Sequence, residues 1–307
     1  MKQTSNATAY LALVLVSIFW GTTYLAARIG VQHMHGMSLA GIRQTVAGII
    51  LIGYFMLFRG YKLPEKSQLG KLAVIGTLML CGSNGLMTWA MQYVPSGLGA
   101  IIGATVPIWI TIFSFYLVAK SKFSFQLIIG ILLGFGGVVG IFYDYFAELM
   151  KPDFRFGIIL IMIACILWAL GSVLTAKWAL DMNPLYGAGF QMIFSGVEML
   201  FISILMGQHF EAAAFTTELW GALLYLIFFG SIIGYSSYIF ALNRLPPSLV
   251  SVYAYINPVV ALLLGWVWFR ERLNWNMALF SLVILLGVYL VNRSFNKAKA
   301  QSYEHSE

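Results

Sequence analysis

The sequence predicts an all-α integral membrane protein with ten transmembrane helices, arranged as two inverted five-helix repeats. Three observations predict it: an unusually apolar composition, ten apolar segments of spanning length, and an internal repeat. Of the 307 residues, 60% are hydrophobic and 9% are charged, whereas soluble domains carry roughly 25% charged residues. Most of the surface is therefore expected to face lipid rather than water.

The apolar segments follow one another with only short interruptions. A helix needs about 20 apolar residues to cross roughly 30 Å of hydrocarbon, and Gly, Pro and charged residues divide the chain into segments of that length. The breaks at 94–96 and 245–247 are very short, and a chain that continued through both would have only eight spans. The predicted spans are 9–30, 37–58, 71–93, 97–118, 125–146, 157–178, 185–206, 219–241, 248–269 and 274–292.

The distribution of Lys and Arg between the loops predicts the orientation. Cytoplasmic loops carry an excess of these residues. With the N-terminus inside, the inner segments hold twelve Lys and Arg and the outer segments hold five. We therefore expect a multi-pass protein of the cell inner membrane with both termini in the cytoplasm. The outer five are Arg28, Lys151, Arg155, Arg270 and Arg272, and the inner twelve are Lys2, Arg59, Lys62, Lys66, Lys71, Lys120, Lys122, Lys177, Arg244, Arg293, Lys297 and Lys299.

The second half of the chain repeats the first. Residues 89–136 can be laid on 240–287 without a gap, a shift of 151 residues, which aligns Pro107 with Pro258. Upstream, a shift of 148 aligns Trp20 with Trp168 and brings Arg43 onto Gln191. The shared order across five successive spans is the signal, because each match alone involves common residues.

The repeat defines the predicted domains: a first five-helix unit over 1–146, a second over 157–292, and a cytoplasmic tail over 293–307. Because five is an odd number, the second unit must enter the membrane from the opposite side. Inverted repeats are typical of secondary transporters, which bind substrate near the bilayer midplane where the halves meet.

Several segments resemble the EamA-type drug/metabolite transporter family over nearly the whole chain. The opening FWGTTYLAAR, Arg43 in the second span, IIGATVPIWITIFSFYL in the fourth and VSVYAYINPVVALLLGWVWFRERL in the ninth are similar to that family, as is the ending LVILLGVYL. The resemblance implies a ten-helix inner-membrane carrier of small metabolites, often amino acids or related compounds, usually moved outward. The family often has an acidic residue after both the fourth and ninth spans, but here Lys120 occupies the first place and Glu271 the second.

Arg43 is the strongest candidate for substrate binding. A charge inside a span is costly, and by default it indicates a functional site. Its guanidinium group suits a bidentate pair with a substrate carboxylate. The alternatives are that the side chain extends to the outer interface or makes a packing hydrogen bond between helices.

Glu198, in the seventh span, is the candidate for proton coupling. Burial raises the pKa of a carboxyl group toward the range in which a transporter would use it. The alternative is a neutral carboxyl hydrogen-bonded to a neighbouring helix. Glu271, flanked by Arg270 and Arg272, is interpreted as part of a local charge cluster in an outer loop.

Pro107 and Pro258 occupy equivalent positions within their spans and are the predicted hinges. Proline removes a backbone hydrogen bond and kinks a helix, and the freed carbonyl groups are tolerated in a membrane only against protein or a wet cavity. Asn257 precedes Pro258 and is predicted to line that cavity. The alternative is that both prolines produce ordinary packing kinks.

A further set of large or polar side chains lies deep in the spans, away from the interfaces where aromatic residues collect. We predict that they contribute to substrate binding, with simple core packing as the alternative. They are Trp20, Asn84, Trp168, Gln191, Tyr238 and Tyr253.

The remaining features favour a transporter over other classes. The four histidines and two cysteines do not form a metal-ligand pattern, a P-loop motif is missing, and the basic residues do not accompany an aromatic platform for nucleic acid. We therefore expect no cofactor, metal or nucleic acid, and a small-molecule substrate in a lipid bilayer. A membrane-embedded lipid-modifying enzyme and a passive channel are the alternatives.

Glycine pairs at GxxxG spacing permit either close helix packing within one chain or the formation of a homodimer. The sequence is therefore compatible with a monomer and with a homodimer.

Overall fold

The computed structural model describes residues 6–117, 125–208, 216–245, 247–251, 253–271 and 274–304. Within these ranges all regular secondary structure is helical. Four predicted loop charges, Lys2, Lys120, Lys122 and Arg272, and the predicted break residue Pro246 lie outside them. The helices, numbered in chain order, are α1 (Asn6–Gly30), α2 (Gly36–Arg59), α3 (Lys66–Ala90), α4 (Ser96–Leu117), α5 (Phe125–Phe142), α6 (Pro152–Trp178), α7 (Pro184–Leu205), α8 (Thr217–Leu242), α9 (Pro247–Val250 and Tyr253–Phe269) and α10 (Trp275–Glu304).

The helices have the length and surface of membrane spans. In the described part of the chain, seven are long and apolar enough to cross a bilayer, namely α1–α4 and α6–α8. Shorter apolar stretches lie in α5, α9 and α10. Large apolar side chains cover the outside of the bundle as well as its core: Leu57 is 80% exposed and Trp268 is 66% exposed. Such a surface is unfavourable in water and favourable in lipid.

The short break at 94–96 separates two helices, as predicted, because α3 ends at Ala90 and α4 begins at Ser96. The other short break lies between Leu242 and Pro247, where α8 ends and α9 begins. The helix α10 continues to Glu304, beyond the predicted end of the tenth span at residue 292, so the first part of the predicted tail is helical.

Four helices depart from regular α geometry. The middle of α3 is π-helical over Thr77–Gly85, and the middle of α8 is π-helical over Leu226–Tyr235. The helix α4 is interrupted at 104–105, directly before Pro107, and α9 is interrupted after Val250. The break in α9 therefore precedes Pro258, which itself lies within a continuous helical segment. Irregular backbone at membrane depth is found where it faces protein or a cavity, and π-helical turns often mark functional sites.

The helices pack in pairs that follow a two-fold pattern. The helices α2 and α7 pack together, as do α5 and α10. The helix α1 packs against α8 and α9, while α6 packs against α3 and α4. Exchanging the first five helices with the last five reproduces the same pairs.

Glycines allow the closest of these approaches. A Cβ atom on Gly287 of α10 would lie 2.5 Å from the backbone nitrogen of Gly134 and 2.6 Å from the carbonyl oxygen of Gly130, both on α5. Gly130 and Gly134 form one of the pairs at GxxxG spacing in the sequence, and this pair therefore serves helix packing. In contrast, Gly136 faces open space.

A substitution of Gly287 tests this packing. Gly287→Val is expected to separate α5 from α10 and to destabilise the protein by about 2 kcal/mol, because the added carbons overlap backbone atoms that cannot rotate away. Gly136→Val is the matched control, since a Cβ atom there has no atom of another helix within 4 Å. Thermal unfolding in detergent measures both variants. Equal unfolding temperatures for the two would contradict the close approach.

The loops collect at two ends of the bundle. At one end, which we call the Glu271 end, the chain turns near residues 31–35, 91–95, 206–208 and 270–271. Here His33 contacts Thr216, and Glu271 contacts Ser96. The opposite end, called the Asp181 end, contains the turns at 60–65, 179–183 and 243–245. At that end Gln68 Nε2 donates to the carbonyl oxygen of Asp181 at 3.4 Å.

Candidate functional site

A cavity of about 100 Å³ lies between the helices, and its walls come from α1, α2, α3, α4, α6, α8 and α9. Both π-helical segments and both interrupted helices contribute to it. The irregular backbone therefore surrounds one interior space. Six of the residues predicted for substrate binding line this cavity: Trp20, Arg43, Asn84, Trp168, Tyr253 and Asn257.

Arg43 is buried at the cavity wall, with 4% of its surface exposed. Its Nε donates to Ser231 Oγ at 2.8 Å, and its guanidinium group lies against Gly230, where a Cβ atom would be 2.7 Å from Nη2. The side chain therefore points inward rather than toward the outer interface. Among the described residues, no carboxylate pairs with it.

Arg43 begins a chain of polar side chains along the wall. Ser231 Oγ donates to Gln44 Oε1 at 3.1 Å, and Gln44 Nε2 donates to Asn84 Oδ1 at 3.3 Å. These contacts fix the orientation of Arg43 without neutralising it. Gln44 lines the cavity and Ser231 donates to it, and the sequence did not predict either residue. The adjacent Arg43-Gln44 pair in an apolar span was the signal for Gln44, whereas Ser231 resembles any small residue in a helix.

An aromatic cluster borders the cavity. The ring centroids of Trp20 lie 5.1 Å from Tyr238, 5.1 Å from Tyr253 and 5.2 Å from Trp168. Trp20 Nε1 donates to the carbonyl oxygen of Gly230 at 3.0 Å. Because aromatic pairs at these separations stabilise each other, the packed rings form a stable part of the cavity wall.

Tyr238 was predicted to bind substrate, but the structure places it behind this wall. It is 0% exposed and does not line the cavity. Its hydroxyl group accepts from Trp168 Nε1 at 3.2 Å and shares a 2.9 Å hydrogen bond with Ser172. Tyr238 therefore supports Trp168.

Gln191, also predicted to bind substrate, is not among the residues that line the central cavity. Its Oε1 accepts from the hydroxyl group of Tyr235 at 2.6 Å. Gln191 lines a second, smaller cavity at the Asp181 end together with Asn243, while Tyr235 lines the central one. The Tyr235–Gln191 hydrogen bond therefore lies between the two cavities, and Tyr235 is a residue that the sequence did not reveal.

Glu198 does not reach the cavity. Its carboxylate accepts from Thr77 Oγ1 at 2.7 Å, on the first residue of the π-helical segment of α3. The second carboxylate oxygen of Glu198, Oε2, is enclosed by protein, although Val197 and Phe201 on the same helix face lipid and are 54% and 60% exposed. The geometry agrees with the alternative of a carboxyl hydrogen-bonded to a neighbouring helix.

Glu271 was predicted to belong to a local charge cluster, and the structure shows that it has a more specific contact. Its carboxylate accepts from Ser96 N at 2.9 Å, Ser96 Oγ at 2.8 Å and Gly97 N at 3.0 Å. A negative side chain at a helix N-terminus satisfies free backbone N–H groups and opposes the helix dipole. Glu271 therefore caps α4 from the α9–α10 turn, far away in sequence.

Arg28 lies beside Glu271 at the same end of the bundle. Arg28 donates from Nη1 to the carbonyl oxygen of Met91, at the end of α3. Met91 also lines the cavity and is 0% exposed. Gly265 accommodates the arrangement, because a Cβ atom there would lie 2.8 Å from the Glu271 carboxyl carbon.

The fold and the cavity define a class: a polytopic membrane protein with an interior cavity lined by apolar, aromatic and a few polar side chains. The chain belongs to the EamA-like transporter family, whose sequence model matches it twice, over residues 7–143 and 155–293. It is therefore a multi-pass membrane protein of a transporter family, and the family resemblance drawn from the sequence is confirmed.

Relatives agree with this assignment. The chain is 37% identical over 256 residues to the "Uncharacterized inner membrane transporter YedA" of Escherichia coli (strain K12), which covers 83% of this chain and 80% of that protein. It is 24% identical to the "Uncharacterized transporter YoaV" of Bacillus subtilis (strain 168), over 94% of this chain and 98% of that protein. A solved crystal structure with 18% identity has a TM-score of 0.69 and covers 94% of this chain and 98% of its own, which shows the shared fold.

Proposed function

We propose that the protein is a secondary transporter that moves a small metabolite with an anionic group across the inner membrane by alternating access. The observation that supports it most is the buried Arg43 guanidinium at the cavity wall, which has no carboxylate partner among the described residues. An uncompensated buried charge is costly. A bound anion would offset that cost through charge-assisted hydrogen bonds.

The proposed architecture is ten spans in two inverted repeats, residues 1–146 and 157–292, followed by a tail. Three features support it: the two-fold pairing of helices, a π-helical segment in both α3 and α8, and two successive matches to one family model. An odd number of spans in each unit makes their orientations opposite.

The cavity has a barrier toward each end of the bundle. Toward the Glu271 end, Glu271 holds the start of α4 and Arg28 holds the end of α3. Toward the Asp181 end, the Tyr235–Gln191 hydrogen bond separates the central cavity from the smaller one. A carrier that opens one barrier at a time needs such a pair.

The excess of Lys and Arg in the loops assigns the Asp181 end to the cytoplasm, together with both termini. The Glu271 end then faces outward. Zwitterionic metabolites such as amino acids and related compounds fit the combination of one guanidinium group and an aromatic wall, and the name of the E. coli relative agrees with an inner-membrane location.

The test of this function is substrate flux into proteoliposomes containing the full chain. A panel of labelled carboxylates, neutral solutes and amines is offered with and without a proton gradient. Carboxylate-bearing compounds are expected to enter above the level of empty liposomes, because the guanidinium group favours an anion. Flux of neutral solutes or amines alone would contradict the assignment.

Glu198 gives a separate prediction. Glu198→Gln is expected to leave flux and its dependence on the proton gradient unchanged, because the carboxyl does not line the cavity and its glutamine substitute still accepts from Thr77. The measurement is flux at several external pH values, compared with the wild type. Loss of gradient-driven flux in this variant would contradict the prediction and would indicate that Glu198 is the proton-coupling group.

A further inference from the structure

Asn257 is a buried side chain of the cavity wall whose Oδ1 has no hydrogen-bond partner among the described residues. It lies on α9, is 4% exposed and lines the cavity. Its Oδ1 is enclosed and accepts no hydrogen bond from any described residue. The other buried amides differ: Gln44 is bonded to Asn84, and Gln191 to Tyr235. Buried polar atoms are rarely left unpaired, so this oxygen indicates a position for a ligand donor.

Asn257 and Arg43 occupy different walls of the cavity. The helix α9 packs against α1 and α4, whereas α2 packs against α7, α8 and α3. Arg43 offers positive charge and N–H donors, while Asn257 offers an acceptor. Two complementary groups on separate walls are suited to the two ends of one small molecule.

The repeat does not duplicate this arrangement. At the shift of 151 residues the partner of Asn257 is Val106, an apolar residue that also lines the cavity. The partner of Arg43 is Gln191, which lies outside the cavity. The polar side chains of Arg43 and Asn257 therefore have no polar counterparts in the cavity wall from the other repeat, although the helices themselves pair symmetrically. Such a site would hold a ligand in one orientation.

We propose that Asn257 is a second recognition point, and that the cavity binds a molecule with an anionic group at one end and a hydrogen-bond donor, such as an ammonium or hydroxyl group, at the other. The anion contacts Arg43 and the donor contacts Asn257 Oδ1. Trp20 and Tyr253 contact the apolar part between them. The inference rests on the proposed function, because it uses the same cavity and the same arginine.

The experiment compares compounds that share one carbon frame. The aromatic series is 3-phenylpropionate, phenethylamine, phenyllactate and phenylalanine, and the aliphatic series is 4-methylpentanoate, isopentylamine and leucine. Each is titrated against the purified full chain in nanodiscs, with the ligand-induced rise in unfolding temperature as the measure of affinity. In at least one series, compounds with both groups are expected to bind about 10-fold tighter than the carboxylate alone, because they pair the buried acceptor.

Asn257→Leu, similar in size but without the amide, is expected to abolish that advantage and to leave the affinity for the simple carboxylates unchanged. Asn257→Asp keeps an acceptor, and it is expected to favour the ammonium compounds over phenyllactate. Asn243→Leu is the matched control, since Asn243 lines the smaller cavity instead. It is expected to bind every compound as the wild type does.

Failure of the role proposed for Asn257 can be distinguished from failure of the anion site at Arg43. If carboxylates bind the wild type but the second group adds nothing, or if Asn257→Leu keeps the full advantage, the role of Asn257 is wrong and the proposed anion site stands. If no carboxylate of either series binds the wild type, the anion site at Arg43 fails, and the role of Asn257 fails with it.

Discussion

Replacement of Arg43 by glutamine is expected to abolish transport of anionic substrates while the protein still folds into the membrane. Glutamine retains hydrogen-bonding capacity near Ser231 but removes the only charge that the described cavity wall carries. Charge-assisted hydrogen bonds contribute roughly 1.5–3 kcal/mol each, so carboxylate affinity is expected to fall about 10- to 100-fold. Flux in proteoliposomes and binding in nanodiscs measure the two effects.

Arg59→Gln is the matched control for Arg43. Arg59 lies on the same helix, is exposed, and contacts Tyr54 rather than the cavity. The control is expected to transport and unfold as the wild type does. Unchanged transport in Arg43→Gln would show that the arginine packs helices and does not bind substrate.

Replacement of Glu271 by alanine is expected to have the second large effect, on stability and on the conformation of the Glu271 end. It removes the acceptor of three hydrogen bonds at the start of α4. Loss of a helix cap costs about 0.5–2 kcal/mol, and the buried hydroxyl of Ser96 also loses its partner. A lower unfolding temperature is expected, together with easier opening of the cavity at this end.

Cys165 reports that opening, because it lines the cavity and is 1% exposed. With Cys81 replaced by alanine, a charged maleimide added to the outer side of spheroplasts is expected to label Glu271→Ala several-fold faster than the parent, since a weakened barrier is open for a larger fraction of the time. Glu218→Ala is the control, because this exposed carboxylate belongs to the cap of its own helix at the same end. Equal labelling of all three proteins would show that Glu271 does not close the cavity.

The Asp181 end cannot form the same cap. At the shift of 151 residues, Ser96 corresponds to Pro247 and Glu271 to Lys120. Proline has no backbone N–H to donate, and a lysine side chain has no acceptor. The difference predicts that the two barriers are unequal, and that the Glu271 end is the more firmly closed of the two.

Much of the bundle could be predicted from the sequence because apolar length and composition determine which segments enter lipid. The apolar helical segments, the short break after α3 and six residues of the cavity wall follow from hydropathy and from side chains that are costly in lipid. Arg43 and Asn257 belong to this group. Both were predicted as site residues because they are polar residues within apolar spans, and both line the same cavity in the structure.

The contacts that complete the site could not be predicted in the same way. Gln191 and Asn84 are both polar residues deep in a span, and only the packing of α7 against α3 and α8 turns Gln191 toward Tyr235 and away from the central cavity. The π-helical segments leave no mark in hydropathy. Glu271 appeared to belong with its charged neighbours because its partners on α4 are distant in sequence.

Counterflow of a labelled substrate tests the central claim, transport by alternating access, most directly. Proteoliposomes are loaded with an unlabelled carboxylate that the protein transports, and uptake of the labelled compound is then followed from a dilute external solution. A carrier is expected to show saturable uptake and a transient accumulation above the external concentration, both lost in Arg43→Gln. Uptake that rises linearly with concentration and never exceeds equilibrium would indicate a passive channel and contradict the account.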